Sequence, residues 1–397
     1  MPTTTLGAPA IDFSNTAVAF AHLTDAELKK MYWLFLMMSK PWLVKFGSGI
    51  GLWAVENGLP MAERVVRHTV FEQFVGGATL LDCQPSVEHL YAHNALTILD
   101  YGAEAKESEE DFNLVMNENI RAIEFASRSK SIPVVSAKIT GIARFGLLES
   151  IQNNQQLSRQ EINEYRSVLK RLDVICYHAA NKGVSVFIDA EETWIQDSID
   201  HLVWLMMKRY NKTRVVVYNT FQLYRKDRLE FLIESYERAQ RAGFILGAKL
   251  VRGAYMEKES KRAAEMGYET PINPDKQTTD DHYNTALRFC LDQIETIGLC
   301  NASHNAESAG LQVEIMHKKG IPANHPNCMF SQLYGMSDNL TFNLAKAGYR
   351  VSKYMPYGQV TDVIPYLIRR AQENTSVTGD ASRELAMIQE EVERRGI

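Results

Sequence analysis

The chain has 397 residues, 45% of them hydrophobic and 23% charged, with a formal net charge of -5. That length can bury a large core and suits a catalytic domain with an appendage, whereas the mildly acidic balance without clustered Lys and Arg excludes a nucleic-acid binder. The five cysteines, Cys83, Cys176, Cys290, Cys300 and Cys328, form no C-x-x-C pair, which fits buried reduced thiols and argues against a disulfide framework, a zinc site or any other bound metal. The start of the chain lacks the plan of a signal or transit peptide, so a cytoplasmic address is expected.

Residues 1–130 read as a helical region poor in strand signals, with Phe112, Val115, Ile120, Ile123 and Ala126 marking a helix over 109–128. Within it, Met31 to Met38 is nearly unbroken apolar sequence beside Trp33, Trp42 and Trp53, interrupted afterwards by Lys40, Pro41 and Lys45. This stretch is too short and too charged to span a bilayer. Two readings stay open: helices packed on the main domain, or an interfacial contact that holds the protein peripherally at a membrane. Gly49-Ile-Gly51-Leu-Trp-Ala54 fits the G-x-G-x-x-A phosphate fingerprint, but no βαβ unit follows, so a dinucleotide fold is rejected.

From 131 to 375 the pattern alternates. Strand-like runs at Pro133 to Ala137, Val184 to Ile188, Arg214 to Tyr218, Ile245 to Val251, Leu299 to Ser303, Asn327 to Ser331 and Arg350 to Tyr354 are each followed by a helical stretch, the rhythm of a parallel sheet. Ser158 and Glu161 form a capping box, and Gly183, Gly243, Gly298, Gly320 and Gly348 stand where helices should stop. Seven such units predict an α/β fold, a distorted (βα)8 TIM-like barrel whose eighth strand is not placed. Residues 376–397 read as a charged amphipathic helical tail docked on the domain.

In such a barrel the site is built at the C-terminal ends of the strands. Those ends carry Lys138, Asp189-Ala190-Glu191, Gln222, Lys249 to Tyr255, Ser303-His304-Asn305, Gln332 to Met336 and Tyr354 to Gly358. Polar residues at every end suggest a large polar ligand. In the last helix Tyr366, Arg369, Arg370 and Glu373 share one face, while Val363, Ile364, Leu367 and Ala371 form an apolar one. Adjacent arginines so anchored suit bidentate binding of a carboxylate; the bland alternative is a solvated face. The helix is expected over the mouth of the barrel, since on the outer ring its polar face would meet only water.

The motifs KLVRGAY (Lys249 to Tyr255), LYGM (Leu333 to Met336) and YLIRRAQEN (Tyr366 to Asn374) resemble those of proline dehydrogenase, in the same order and over about Lys138 to Asn374. Lys249 and the Pro271-Ile-Asn-Pro274 insertion are similar to the monofunctional, eukaryotic-type branch. The resemblance implies FAD as cofactor and oxidation of L-proline to 1-pyrroline-5-carboxylate, by hydride transfer from C5 to flavin N5 and reoxidation by a quinone. It implies that Arg369, Arg370 and Lys138 bind the carboxylate, that Ala254, Leu333, Tyr354 and Tyr366 wall the ring, and that Lys249 lies near flavin N5 with Asp189 balancing the charge. Ala190, Tyr218, Gln222, Val251, Arg252, Gly253, Ala254, Tyr255, Ser303, His304 and Asn305 are implied to line FAD, and Glu373 either to touch cofactor or to orient the arginines. Alternatives are a hydroxyproline dehydrogenase, a barrel aldolase or lyase using Lys138 as a Schiff base, and a non-catalytic anion-binding module.

Overall fold

The computed structural model describes residues 11–40, 66–103, 106–375 and 380–397. Eight parallel strands follow one another in chain order round a closed barrel. They are β1 (Leu96–Tyr101), β2 (Val134–Ala137), β3 (Ser185–Ile188), β4 (Val217–Gln222), β5 (Leu246–Val251), β6 (Ile297–Ala302), β7 (Cys328–Leu333) and β8 (Val351–Tyr357). The chain divides into two compact units, Glu104–Ser331 and Ala10–Ala103 with Gln332–Ile397.

In the first unit β2 to β6 alternate with helices. The helix Arg159–Lys182 begins where Ser158 accepts the Glu161 N–H and Glu161 reaches back to Ser158, and it stops at Gly183, whose φ of 74° is left-handed and suits glycine. Gly298 corrects one expectation: it does not end a helix but lies inside β6, where a Cβ would come within 2.6 Å of Val215 and 2.8 Å of the Tyr218 hydroxyl. The run at Arg214 also starts early. Asn211 Oδ1 accepts the N–H groups of Val216 and Val217 at 2.9 Å each, so the ladder with β3 and β5 begins later and carries Gln222 as its last residue.

In the second unit the strand that the sequence leaves unplaced is Leu96–Tyr101, inside the stretch expected to be helical. It pairs with β8 from Leu96↔Ser352 to Tyr101↔Tyr357. That pairing explains a second correction, because β8 runs on through Met355–Tyr357 and Tyr354 lies within the strand rather than at its end. The helix Asp25–Met38 opens on a capping box at Thr24. It packs Leu28, Met31, Leu34 and Phe35 into an apolar cluster with Phe71, Phe74, Val363, Ile364, Leu367 and Ile388. Each such side chain, fully buried, contributes about 1.5 to 3 kcal/mol. Trp33 is 61% exposed on the opposite face; Trp42, Trp53 and the Gly49 to Ala54 motif lie outside the described residues. No described helix is long and apolar enough to cross a membrane. All five cysteines are buried free thiols.

The tail helix Asp380–Arg395 is docked, with Arg395 donating to the Phe20 and Leu23 carbonyls at 2.7 and 2.9 Å. Both Glu384 carboxylate oxygens accept the Ser337 N–H, at 2.9 and 3.0 Å, yet burial, with Asp338 nearby, pushes this carboxyl up to about 7. A glutamate raised in the folded state binds more protons there than when unfolded. Its contribution is therefore complete below the ordinary glutamate range and is lost as pH rises through about 7. Glu384→Gln is expected to remove this loss, about 3 kcal/mol at full effect, so that denaturant midpoints measured from pH 5 to 8 fall for the parent and stay flatter for the variant.

Candidate active site

Strand alternation decides which side chains face the barrel axis. On β4, Asn219 bonds Asp200 and Phe221 stacks on Phe231, both on surrounding helices, so Tyr218, Thr220 and Gln222 face inward. On β6, Asn301 accepts the Tyr283 hydroxyl of the outer helix Lys276–Asp292, which turns Cys300 and Ala302 inward. The same parity carries Ser136 and Lys138, Phe187 and Asp189, and Lys249 to one place.

There Asp189 stands between two ammonium groups. Lys249 Nζ donates to Oδ1 at 2.6 Å, Lys138 Nζ lies 3.5 Å from Oδ2, and Ser136 donates to Oδ1 at 3.1 Å. All three charged side chains are at least 85% withdrawn from solvent. Lys249 Nζ is also 5.4 Å from the Phe187 ring centroid, a favourable cation–π approach. Lys138 thus sits as one half of an ion pair, which suits a group that grips an anion rather than a neutral amine that attacks a carbonyl. Ala190 follows Asp189 and is half-buried. Beyond it Glu191 accepts from the N–H and hydroxyl of Thr140; burial pushes its carboxyl up to about 7 against the pull of these bonds.

Gln222 is 2% exposed. Its Nε2 donates to the Glu191 carbonyl at 3.1 Å, while its Oε1, equally buried, has no hydrogen-bond partner. A buried acceptor left without a donor is costly and calls for a ligand or water. Val251 ends β5. Arg252 then donates to Asp280, Ser303 and Ser308 at 2.7, 2.6 and 3.0 Å and stacks 4.3 Å from the Tyr283 ring centroid. Gly253 has φ 139°, and a Cβ there would strike Tyr224 at 2.4 Å, so only glycine fits. Ala254 is exposed, and Tyr255 immediately precedes the helix Met256–Met266. His304 is half-buried between Ser303 and Asn305. Asn305 is occupied as a helix cap, accepting the Ser308 N–H at 2.9 Å.

In the second unit Gln332 Oε1 accepts the Thr341 hydroxyl on the outer side, so Leu333 faces the axis. Lys353 likewise pairs outward with Asp338 at 2.6 Å, which turns Tyr354, 7% exposed, inward. The helix Val360–Thr375 buries Val363, Ile364 and Leu367 as its apolar pattern requires. Its charged face is not a solvated one throughout, because Arg370 is only 5% exposed and lies 5.1 Å from the Tyr366 ring centroid. Tyr366 and Arg369 are half-buried; the Glu373 side chain lies outside the described residues. Sequence reasoning misses Ser136, Thr140 and Asp280. Only Ser136 has a signal, two positions before Lys138 and therefore on its face.

A family model described as proline dehydrogenase matches residues 83–383. The chain belongs to the proline dehydrogenase family. It is 33% identical to mitochondrial proline dehydrogenase 1 of Dictyostelium discoideum, over 83% of this chain and 65% of that one. It is 32% identical to hydroxyproline dehydrogenase of Xenopus laevis, over 97% of this chain and 90% of that one. The crystal structure of proline utilization A from Bdellovibrio bacteriovorus shares the fold, with a TM-score of 0.75 at 20% identity over 92% of this chain and 42% of that one. The chain thus spans under two thirds of the length of several proteins it matches. The cytoplasmic address is corrected here. The matched proline dehydrogenases of Dictyostelium discoideum, Caenorhabditis elegans, Drosophila melanogaster, Homo sapiens and Arabidopsis thaliana are named as mitochondrial, and buried thiols are as compatible with that compartment as with the cytoplasm.

Removing the central carboxylate of this array leaves two withdrawn ammonium groups without the Asp189 oxygens between them. Asp189→Ala is expected to cost about 3 kcal/mol of stability, the range for breaking a buried pair by deleting one partner. Urea midpoints check it. An unchanged midpoint would show that both lysines reach solvent without penalty.

Proposed function

We propose that this protein oxidises L-proline to 1-pyrroline-5-carboxylate with FAD as cofactor and passes the electrons to a quinone. The observation that carries the reading is the Lys138–Asp189–Lys249 array on the axis-facing side of the strand ends, in a chain of this family. Lys138, Arg369 and Arg370 supply the positive charge for the substrate carboxylate. Stacking on Tyr366 orients the Arg370 fork, and a planar guanidinium binds a carboxylate through two parallel bonds. Leu333, Tyr354, Tyr366 and Ala254 provide an apolar wall for the pyrrolidine ring.

The residues present fit a flavin. The orphaned Gln222 Oε1 is an acceptor in need of an N–H donor, which the pyrimidine edge of an isoalloxazine offers. Arg252 supplies a guanidinium suited to a pyrophosphate, beside the close backbone turn at Gly253. Ala190, Tyr218, Val251, Tyr255, Ser303 and His304 complete the set of candidates, and Glu373 is retained on family resemblance. FAD supplies the chemistry of accepting the hydride that leaves C5 of proline. The protein's part is to orient the ring, exclude water and hold fixed positive charge where negative charge accumulates. Lys249 carries that last role, already oriented by Asp189.

An absorption spectrum of the purified protein, before and after anaerobic addition of L-proline, tests the proposal. Bleaching of a flavin band supports it; a folded, colourless protein that takes up no added FAD overturns it. Arg370→Ala is expected to weaken proline binding by about 2 to 5 kcal/mol, the cost of removing one partner from a desolvated charge pair. Steady-state kinetics with proline measure this, and a parental Michaelis constant would assign the residue to packing alone.

A second reading has one observation in its favour, the likeness to the Xenopus laevis hydroxyproline dehydrogenase. Tyr354 opposes it. An inward, almost fully buried phenol leaves a 4-hydroxyl against an apolar ring, and stranding a polar group costs about 1 to 3 kcal/mol. Proline should therefore be preferred. Tyr354→Ser is expected to lower kcat/KM with proline and to raise the relative efficiency with trans-4-hydroxy-L-proline; an unchanged ratio would remove Tyr354 as the determinant.

A further inference from the structure

Glu191 makes no contact that the oxidation itself requires, yet three strand ends converge on it. It follows Asp189 after β3 and is 4% exposed. Its side chain crosses to the turn after β2, where Oε1 accepts the Thr140 N–H at 3.1 Å and Oε2 accepts the Thr140 hydroxyl. Thr140 is the middle residue of the short 3-10 turn Ile139–Gly141, and Lys138 is the residue that enters this turn, without a side-chain cap. The Lys138 carbonyl is in turn fixed by the Gly141 N–H at 3.2 Å. With the turn held, Lys138 keeps an extended backbone, φ -109° and ψ 139°, which continues the strand alternation and delivers its ammonium to Asp189.

The backbone of Glu191 is held as firmly. Its N–H donates to Gln196 Oε1 at 2.7 Å and its carbonyl accepts Gln222 Nε2 at 3.1 Å. Gln196 is itself anchored on Asp200, which pairs with Arg228. A buried acid is an expensive way to cap a turn. A carboxylate, however, has two acceptor oxygens and can take both Thr140 donors at once, whereas an amide would turn an NH2 group toward one of them.

We propose that Glu191 is a positioning residue that sets the Lys138 ammonium for the substrate carboxylate by clamping the Thr140 turn, an inference that rests on the proline-oxidising reading. Substrate binding, not the hydride step, depends on the clamp. The test uses the full chain loaded with FAD, and compares the parent with Glu191→Gln, Thr140→Val and Thr140→Ser. Steady-state kinetics with proline are read together with the spectroscopic Kd of a cyclic carboxylate that lacks the oxidisable nitrogen.

Glu191→Gln and Thr140→Val are each expected to raise KM and that Kd about tenfold with kcat within about twofold, the signature of lost uniform binding. Thr140→Ser, which keeps the hydroxyl, should return both to near the parental values. The two clamp variants attack opposite ends of one contact, so Thr140→Val decides the matter if Glu191→Gln does not fold. Parental KM and Kd in the clamp variants, or a fall in kcat with KM and Kd unmoved, overturn the positioning role while leaving the proline reading intact. A flavin-loaded parent that does not oxidise proline overturns the proline reading and this inference with it.

Discussion

One carboxylate between two ammonium groups sets the character of the first unit's strand ends. Lys138, Asp189 and Lys249 keep only 10, 15 and 7% of full side-chain exposure, and at such depth a charge is tolerated only when it is paired and hydrogen-bonded. Asp189 satisfies both lysines and takes a third bond from Ser136. The array exists only because β2, β3 and β5 present the same parity toward the axis. A one-residue slip in any of them would turn its charged side chain into the outer helices.

The second unit meets a comparable demand with packing. Arg370 is buried on a helix whose other side is committed to an apolar cluster through Val363, Ile364 and Leu367. Rotation of the helix would expose those three side chains, so the apolar face fixes the direction of the polar one. Tyr366, one turn before Arg370, then limits the guanidinium by stacking on it. An arginine oriented in this way loses less conformational entropy when it binds a planar anion than a flexible lysine would.

Much of this is legible in the sequence where local chemistry and tertiary packing ask for the same residues. The capping box at Ser158, the glycine at 183 and the two faces of the helix Val360–Thr375 are cases of that agreement. Leu96–Tyr101 is harder because six residues between two helices carry too little periodicity to separate a buried strand from a buried helical turn. Asn94, left-handed at φ 60° just before it, is the local mark of the break. Gly298 misleads for a different reason. Its lack of a side chain is required by Val215 and Tyr218 across the barrel, a constraint invisible to neighbours in sequence. The site residues at the strand ends are legible as polar positions, but their pairing is not, since Lys138 and Lys249 reach Asp189 only through the order and register in which β2, β3, β4 and β5 pair.

The loop after β5 shows how an arginine proposed to meet a phosphate is held in place by bonds of several kinds. Arg252 is held by Asp280, Ser303 and Ser308 and lies on the Tyr283 ring. Asp280 also accepts from Lys276 at 2.6 Å. Burial raises its carboxyl, but the bonds from Lys276 and Arg252 outweigh this and hold it below the usual carboxylate range, so the aspartate is ionised. Two cations therefore share one anion, and the cluster retains a single positive charge. On the proposed reading the serine hydroxyls are neutral partners that leave the attraction for a phosphate intact, whereas a second carboxylate in their place would cancel it. Orientation of the guanidinium is thus supplied by Asp280 and the aromatic ring, and on the proposed reading the second cation, Lys276, leaves the cluster positive toward a cofactor phosphate.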